Sequence, residues 1–325
     1  MGFLDQLGDR ASRAGRRIVL AEGHDERVQE AARRIRQSGH LDLTLLIHEW
    51  GNAPQDAGDV RCPEDDPELA RYLDSYGELL ASEASEPEAA RQLLCDPLYF
   101  AGMMVRAGDA DGAVAGAVNS TGSVIRAALR CIGTAAGSRL VSGAFYMVVP
   151  PFRGTPEPEV LTFADAGAVP DPDVEQLVEV AAQAASMRRK IVGDEPRVAF
   201  LSYSTRGSAA GPSVEKMQRA LARFREVSPD VQADGEFQAD AALIDAVGRR
   251  KAPDSPVAGR ANVLIFPDLN AGNIGYKLVE RLAGATAIGP ILHGLERPFN
   301  DLSRGADAEC IEWAAYVTAL MASGA

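Results

Sequence analysis

Residues 261–305 read ANVLIFPDLNAGNIGYKLVERLAGATAIGPILHGLERPFNDLSRG, and the alternation in this stretch predicts the fold. The apolar run at 263–266 is typical of a buried strand, which Pro267 ends. Helical spacing covers 276–282, after a polar turn that contains glycine. A second short apolar run lies at 287–292. The stretch therefore predicts a strand, a glycine-bearing turn, a helix and a further strand.

The rest of the chain repeats this alternation in both directions from that stretch. We predict buried strands at 17–20, 43–47, 110–118, 142–149, 160–164 and 198–203. We predict helices at 25–37, 67–94, 96–106, 174–187, 214–227 and 307–321, with another that starts near 123. Strands that alternate with helices are typical of an α/β protein whose parallel sheet is covered on both faces.

Composition narrows the class of protein and of partner. The chain has 325 residues, which favours about two domains, and its formal net charge is −13. Nucleic acids and anionic membranes attract basic surfaces, so we expect neither as a partner. No apolar run approaches the ~20 residues of a membrane span, and the first residues alternate in charge, so we expect a cytoplasmic protein. The four cysteines and four histidines lack metal-ligand spacing, so we expect no metal.

Two polar loops stand where an anion can bind. Residues 119–122 read NSTG, follow a predicted strand and lead into a helix, and residues 300–305 read NDLSRG just before the last helix. The first amides of a helix are unpaired and carry partial positive charge, which suits a phosphate. The alternative for each loop is an ordinary helix start with a solvated arginine. A third polar loop, at 204–208, reads STRGS.

The residue identities in these segments carry more information about the protein than the spacing of their polar and apolar positions. FPDLNAGNIGYK, AIGPILHGL and NDLSRG lie in the opening stretch, KAPDSPVAGRANVLIFPDL leads into it, and RIVLAEGHDERVQEAA and DPLYFAGMMVRAGDADGAVAGAVNSTGSVIRAAL lie earlier in the chain. Over almost the whole chain, these blocks resemble the phosphate acetyl/butyryltransferase family, most closely its acetyl-transferring members.

The resemblance implies a fold and a reaction. It implies two intertwined three-layer α/β/α domains with a cleft between them, similar to isocitrate and isopropylmalate dehydrogenases. We assign 1–143 with 297–325 to the first domain and 144–296 to the second. The implied activity is reversible transfer of an acetyl or other short acyl group between coenzyme A and phosphate, by direct thiolate attack on the acyl phosphate. It implies no tightly bound cofactor, small-molecule substrates and a homodimer.

The resemblance also implies which residues act. The catalytic candidates from the matching motifs are Arg304, Ser303 and Arg126. The substrate-binding candidates are Asn119, Ser120, Thr121, Gly122, Asn273 and Gly275. Arginine presents a forked set of donors that suits phosphate and stabilises developing negative charge.

Two positions depart from the family pattern. The family usually has an aspartate, thought to act as the base toward the thiol, where this chain has Cys310, and an arginine where it has Leu80. Asp307 stands one helical turn before Cys310 and is a candidate to supply the carboxylate, while the helix start and Arg304 favour a Cys310 thiolate. The alternative to an enzyme is a non-catalytic member of the family that senses acetyl-CoA.

Overall fold

The computed structural model describes residues 2–52, 58–79 and 87–323. The chain forms two compact units, one made of Phe3–Gly137 with Leu295–Ala325 and the other of Ser138–Gly294. The chain therefore leaves the first unit, completes the second and returns to the first. The domain boundaries assigned from the sequence remain our proposal.

The first unit consists of seven helices, five strands and two short 3-10 helices within the described residues. The helices are α1 (Phe3–Ala14), α2 (Glu26–Ser38), α3 (Leu69–Leu79), α4 (Pro87–Leu94), α5 (Pro97–Ala107), α6 (Thr121–Cys131) and α12 (Ala308–Ala322). The strands are β1 (Arg17–Leu20), β2 (Asp42–Leu46), β3 (Asp59–Arg61), β4 (Gly112–Val114) and β11 (Phe299–Asn300), and the 3-10 helices are Trp50–Asn52 and Pro63–Asp65.

The sheet of the first unit is parallel throughout, as the alternation predicts. Its strand order is β11-β4-β1-β2-β3, and every neighbouring pair runs in the same direction. The carboxyl ends of parallel strands meet at one edge of a sheet, so the segments after β1, β4 and β11 lie side by side there. The strand predicted at 110–118 is shorter than expected, because residues 115–120 already belong to this edge.

Side-chain caps set the starts of the helices that leave this edge. Asp25 caps α2 and accepts a hydrogen bond from the Arg27 amide, and Ser120 caps α6. Asp307 caps α12 by accepting from the Cys310 amide, which places Cys310 in the first turn as predicted. Short oxygen side chains satisfy amides that have no acceptor within the helix.

The second unit holds the remaining five helices and six strands. Its helices are α7 (Val174–Ile191), α8 (Pro212–Val227), α9 (Ala239–Leu243), α10 (Asp245–Lys251) and α11 (Leu269–Ala283). Its strands are β5 (Ser142–Val149), β6 (Glu159–Ala164), β7 (Arg197–Leu201), β8 (Gln232–Phe237), β9 (Val263–Ile265) and β10 (Thr286–His293).

The second sheet is mixed: the predicted parallel pairing is present among β6, β9, β7 and β8 and absent at β5. Its order is β10-β5-β6-β9-β7-β8, and β5 runs antiparallel to both of its neighbours. Apolar clusters cover both faces: Phe145 and Phe163 belong to one, while the adjacent Ala144 and Ala164 belong to the other. Successive strand residues point to opposite faces, so the unit has a helix layer on each side of its sheet.

Helix α11 begins earlier than its apolar spacing predicts. It starts at Leu269 and not at residue 276, because Asp268 caps it by accepting from the Ala271 amide. The glycine-bearing segment predicted as a turn is therefore the first half of the helix. Gly272 permits this start, since a Cβ there would lie 2.2 Å from the carbonyl oxygen of Asp165. Close packing outweighs the low helix propensity of glycine. No helix within the described ranges is long and apolar enough to cross a membrane.

Candidate active site

A buried carboxylate holds the loop that follows β4. Glu22, in the segment after β1, accepts hydrogen bonds from the backbone amides of Ala117 at 2.6 Å, Val118 at 3.2 Å and Asn119 at 2.8 Å. The side-chain amide of Asn119 donates to the same carboxylate at 2.9 Å. Hydrogen bonds to an ionised acceptor are strong, so four of them define one path for this loop.

The next three residues form an open helix start. Ser120 accepts from the Ser123 amide at 3.2 Å and exchanges a hydrogen bond with the Ser123 hydroxyl at 2.9 Å. Ser120 and Gly122 are exposed, and Thr121 is partly exposed. Because the Ser120 cap is neutral, it does not cancel the partial positive charge of the first amides of α6. This end of α6 therefore suits a bound anion.

The two polar loops meet through a hydrogen bond between side chains. Thr121 donates from Oγ1 to Oδ2 of Asp301 at 2.5 Å, and these residues are 180 positions apart in the chain. Gly116, at φ +100°, lies against the other carboxyl oxygen, and a Cβ at this position would be 2.0 Å from Oδ1 of Asp301. The NSTG and DLSRG segments are therefore direct neighbours at the carboxyl edge of the first sheet.

Arg27 makes a second connection between the same loops. Its guanidinium donates to the carbonyl oxygens of Ala117 at 2.8 Å, Arg304 at 2.8 Å and Ala306 at 3.0 Å. The ion pair with Asp25 orients the guanidinium, and the hydrogen bond from Arg27 holds the pKa of the Asp25 carboxyl below its ordinary value. One side chain from α2 thus spans both loops and fixes their separation.

The two arginines predicted to act on substrate are available for it. Arg126 and Arg304 are exposed, and neither guanidinium makes a hydrogen bond or ion pair with any residue that the structure describes. Arg126 follows Gly122 by four positions and so lies on the same face of α6. Unpaired arginines beside a helix start add positive charge to this edge of an otherwise acidic protein.

The end of the DLSRG segment differs in detail from the predicted anion site. Ser303 accepts weakly from the Gly305 amide at 3.4 Å and keeps its own hydroxyl hydrogen to donate. Asp307 accepts from the Cys310 amide at 2.8 Å, so a carboxylate occupies the first turn of α12. An anion is therefore better placed at the start of α6 than at the start of α12. Cys310 is partly exposed beside Asp307.

Asn273 and Gly275 lie in the second unit, on the first half of α11. The Asn273 side chain donates to the carbonyl oxygen of Ala166 at 3.3 Å, in the segment that follows β6. A Cβ at Gly275 would lie 3.3 Å from the Phe266 ring. Both positions thus help to pack α11 against the ends of its neighbouring strands. Their role in substrate binding remains a prediction.

Leu80, the other predicted departure from the family, lies outside the described residues. Sequence reasoning assigned no role to Glu22, Arg27 or Asp301, which hold the site together. One signal was available for Glu22, an acidic residue two positions after the strand predicted at 17–20. Asp301 offered none, because the two-residue strand before it has no periodicity. No comparable local signal exists for Arg27, whose partners are up to 279 positions away.

The cysteines and other metal-ligating side chains form no cluster in the described part of the chain. No group of three or more His, Cys, Asp or Glu is arranged there to hold a metal ion, and none of the four cysteines forms a disulfide. Burial raises the pKa of the Cys131 thiol to about 12, so that thiol stays protonated in the core.

Comparison with known proteins identifies the relatives of this chain. The family model described as phosphate acetyl/butaryl transferase matches residues 2–319. A phosphate acetyltransferase of Paracoccus denitrificans is 45% identical over 318 residues, which cover 98% of this chain and 98% of the relative. Another from Acetivibrio thermocellus is 45% identical over 333 residues, with 99% and 98% covered.

Solved structures agree with the sequence relatives. A phosphotransacetylase from Streptococcus pyogenes matches with a TM-score of 0.88 at 38% identity, over 98% of each chain. The EutD phosphotransacetylase of Staphylococcus aureus matches with a TM-score of 0.85 at 36% identity and the same coverage. A 4-hydroxythreonine-4-phosphate dehydrogenase of Klebsiella pneumoniae matches with a TM-score of 0.52 at 12% identity, over 95% and 99% of the chains, which supports the predicted dehydrogenase-like fold alone.

Proposed function

The chain belongs to the phosphate acetyl/butaryl transferase family, and from this membership we propose that it transfers an acetyl group reversibly between coenzyme A and phosphate. Coenzyme A, acetyl-CoA, phosphate and acetyl phosphate are then substrates, and no tightly bound cofactor takes part. Relatives of nearly equal length at 45% identity support this reading over that of a sensor.

One observation carries the proposal. At the carboxyl edge of the first sheet, the NSTG and DLSRG loops are joined, and the two arginines beside them are exposed and make no ion pair with any described residue. Leaving two guanidinium groups unpaired beside an open helix start gains nothing for stability, whereas both features suit an anionic substrate. The NSTG start of α6 is the proposed site of the phosphate group.

The proposed mechanism needs positioning and charge stabilisation only. The thiolate of coenzyme A attacks the acyl carbon of acetyl phosphate, the carbon–oxygen bond to phosphate breaks, and phosphate leaves with the electron pair. Arg126 and Arg304 hold the phosphate group and offset the charge that develops on it, and Ser303 donates a hydrogen bond. The substrate-binding roles of Asn119, of Asn273 and of their neighbours belong to the same proposal.

The base toward the thiol comes from the first turn of α12 in this proposal. One carboxylate oxygen of Asp307 caps α12. Asp307 is exposed and lies one helical turn before Cys310. We assign the base to Asp307, or to a Cys310 thiolate if Asp307 proves dispensable. A chain that lacks any base would bind acetyl-CoA without releasing a thiol, which is the behaviour expected of the sensor.

A thiol-release assay with acetyl-CoA and phosphate tests the function directly. The expected result is release of one thiol for each acetyl phosphate formed, with no release when phosphate is omitted. The Arg304→Ala protein serves as the control, because its fold should persist while its turnover falls. If calorimetry shows that the protein binds coenzyme A while the assay detects no thiol release, the sensor hypothesis replaces the enzyme hypothesis.

We also propose a homodimer, with cytoplasmic location as part of the same proposal. Three apolar side chains form an exposed stripe at spacings of four on α11: Ile274 is 57% exposed, Leu278 52% and Leu282 81%. Contiguous exposed apolar side chains of this kind mark interaction surfaces. Light scattering should find a dimer, and Leu278→Glu should shift it toward monomer; an unchanged dimer would exclude this stripe from the interface.

A further inference from the structure

Asp301 is a buried carboxyl group with an incomplete set of hydrogen bonds. The residue follows β11 and is fully buried, and its Oδ2 accepts from Thr121 at 2.5 Å. Its other oxygen, Oδ1, is buried near Gly116 and accepts no hydrogen bond of normal geometry from any described residue. An ionised carboxylate has more hydrogen-bonding capacity to satisfy than a neutral carboxyl group, so this environment favours the neutral form.

Burial outweighs the neighbouring charges and hydrogen bonds in its effect on the Asp301 carboxyl group. Burial, and more weakly the nearby Glu22 carboxylate, raises the pKa of Asp301 to about 7. The hydrogen bond from Thr121, the Leu302 amide and the charge of Arg304 oppose this rise. The charged groups that act on Asp301 are Glu22, in the segment after β1, and Arg304, in the same loop as Asp301. Both protonation states of Asp301 are therefore accessible near neutral pH.

Building on the proposed function, we propose that Asp301 is a positioning residue that turns the Thr121 hydroxyl hydrogen toward the phosphate group of the substrate. A hydroxyl group has one hydrogen to donate. When Asp301 is neutral, its own O–H donates to the Thr121 oxygen, and the Thr121 hydrogen is free to donate to phosphate. When Asp301 is ionised, Thr121 donates to the carboxylate and offers phosphate only lone pairs.

The sign of the pH dependence follows from these two states. Below the Asp301 pKa the hydroxyl donor is present and phosphate binds tightly. As the pH rises through that pKa, Asp301 loses its proton, the donor turns inward, and phosphate binding weakens. Phosphate itself also changes its charge near neutral pH, so the effect must be measured as a ratio between two proteins that share the same substrate.

The Asp301→Asn variant provides that ratio, because its amide donates to Thr121 at every pH. The KM for phosphate is measured in the thiol-release assay, and the Kd of inorganic phosphate by calorimetry, from about pH 6 to pH 8.5. Across this range, we expect the KM of the parent to rise about tenfold relative to the KM of the variant. A tenfold change corresponds to the loss of one hydrogen bond to an anion. The ratio of the two kcat values should stay constant.

A pair of Thr121 variants tests the same inference if Asp301→Asn does not fold. Thr121→Ser keeps the hydroxyl and should keep the parental pH profile, whereas Thr121→Val should bind phosphate about tenfold more weakly than the parent at acid pH and equally at alkaline pH. Parallel profiles for parent and variants would overturn the role of Asp301. Phosphate binding without thiol release would contradict the proposed function alone, and absence of phosphate binding would overturn both.

Discussion

Polar loops of similar composition follow strands in both units, and they differ in whether the nearby arginine forms an ion pair. In the second unit, the STRGS loop after β7 pairs Arg206 with the buried carboxylate of Asp234 at 2.6 Å. Its Ser204 donates to the buried Glu236 at 2.7 Å. In the first unit, the arginines beside the NSTG and DLSRG loops make no ion pair among the described residues, and the loops are held by other side chains.

This difference separates a structural loop from a binding loop. In the STRGS loop the polar groups bond to other groups of the fold: Ser204 is fully buried, and Glu236 also accepts a hydrogen bond from the Gly207 amide at 2.8 Å. In the first unit, the buried carboxylates of Glu22 and Asp301 accept hydrogen bonds from backbone amides and from a hydroxyl group. The guanidinium groups of Arg126 and Arg304 stay exposed. The loops of the two units have similar amino-acid compositions, and only the hydrogen-bond and ion-pair partners of their side chains distinguish a structural loop from a binding loop.

The largest expected effect separates Arg304 from Arg206. Arg304→Ala should lower kcat about 100- to 1000-fold, the usual cost of removing a preorganised charge stabiliser. Arg206→Ala should leave kcat near the parental value and cost about 1 kcal/mol of stability, because Arg225 still pairs with Asp234. Thiol release and thermal unfolding measure the two quantities. Equal losses of turnover in both variants would remove the distinction between the loops.

A smaller effect is expected at Arg126, in affinity more than in turnover. Arg126→Ala should raise the KM for phosphate about 10- to 100-fold, since hydrogen bonds from a charged donor each contribute about 1.5–3 kcal/mol. Arg130→Ala is the matched control, because it removes another exposed arginine one turn further from the loop. Unchanged phosphate saturation in Arg126→Ala, or the same change in Arg130→Ala, would count against the assigned role.

Changes of a few-fold are expected at the first turn of α12. Cys310→Asp should raise activity and Asp307→Ala should lower it, because each alters the carboxylate available to the thiol. Asp307→Ala also removes the helix cap, at a cost of about 1 kcal/mol. Asp307→Ser keeps a capping oxygen without the carboxylate, and Cys310→Ser changes the thiol without adding charge. If Asp307→Ala, Cys310→Asp and Cys310→Ser are all silent in steady-state assays, neither residue is the base.

The smallest expected effect is that of a chelator. Because the charge stabilisation comes from arginines, dialysis against a chelator should leave both the rate of thiol release and phosphate affinity unaltered. The same treatment should leave the Arg304→Ala protein equally inactive. Loss of activity that one specific divalent ion restores would show that the first-unit site relies on more than its arginines.

Local patterns predicted most of the secondary structure, and particular misses show their limit. The strands β1 and β5 have the predicted bounds, because each is a short apolar run that ends in turn residues. The two-residue strand β11 was not predicted, since a segment so short has no periodicity. It becomes a strand only because β4 lies beside it, where Phe299 pairs with Ala113.

The candidate site divides in the same way. The sequence by itself determined where the polar loops fall, that the last helix begins near Asp307, and which family the motifs resemble, because helix starts, turns and motifs depend on neighbours within a few residues. It also placed Arg126 and Arg304 beside those loops. It did not reveal whether an arginine there is paired, as at Arg206, or unpaired.

Only the tertiary structure decided how the loops are held and which groups remain for a substrate. The contact between Thr121 and Asp301 and the reach of Arg27 from Ala117 to Ala306 join segments up to 279 positions apart. Burial of Asp301, which raises its pKa to about 7, arises from the packing of three loops around it. Side-chain partners, burial and titration depend on the full three-dimensional surroundings, and no local window of the sequence contains them.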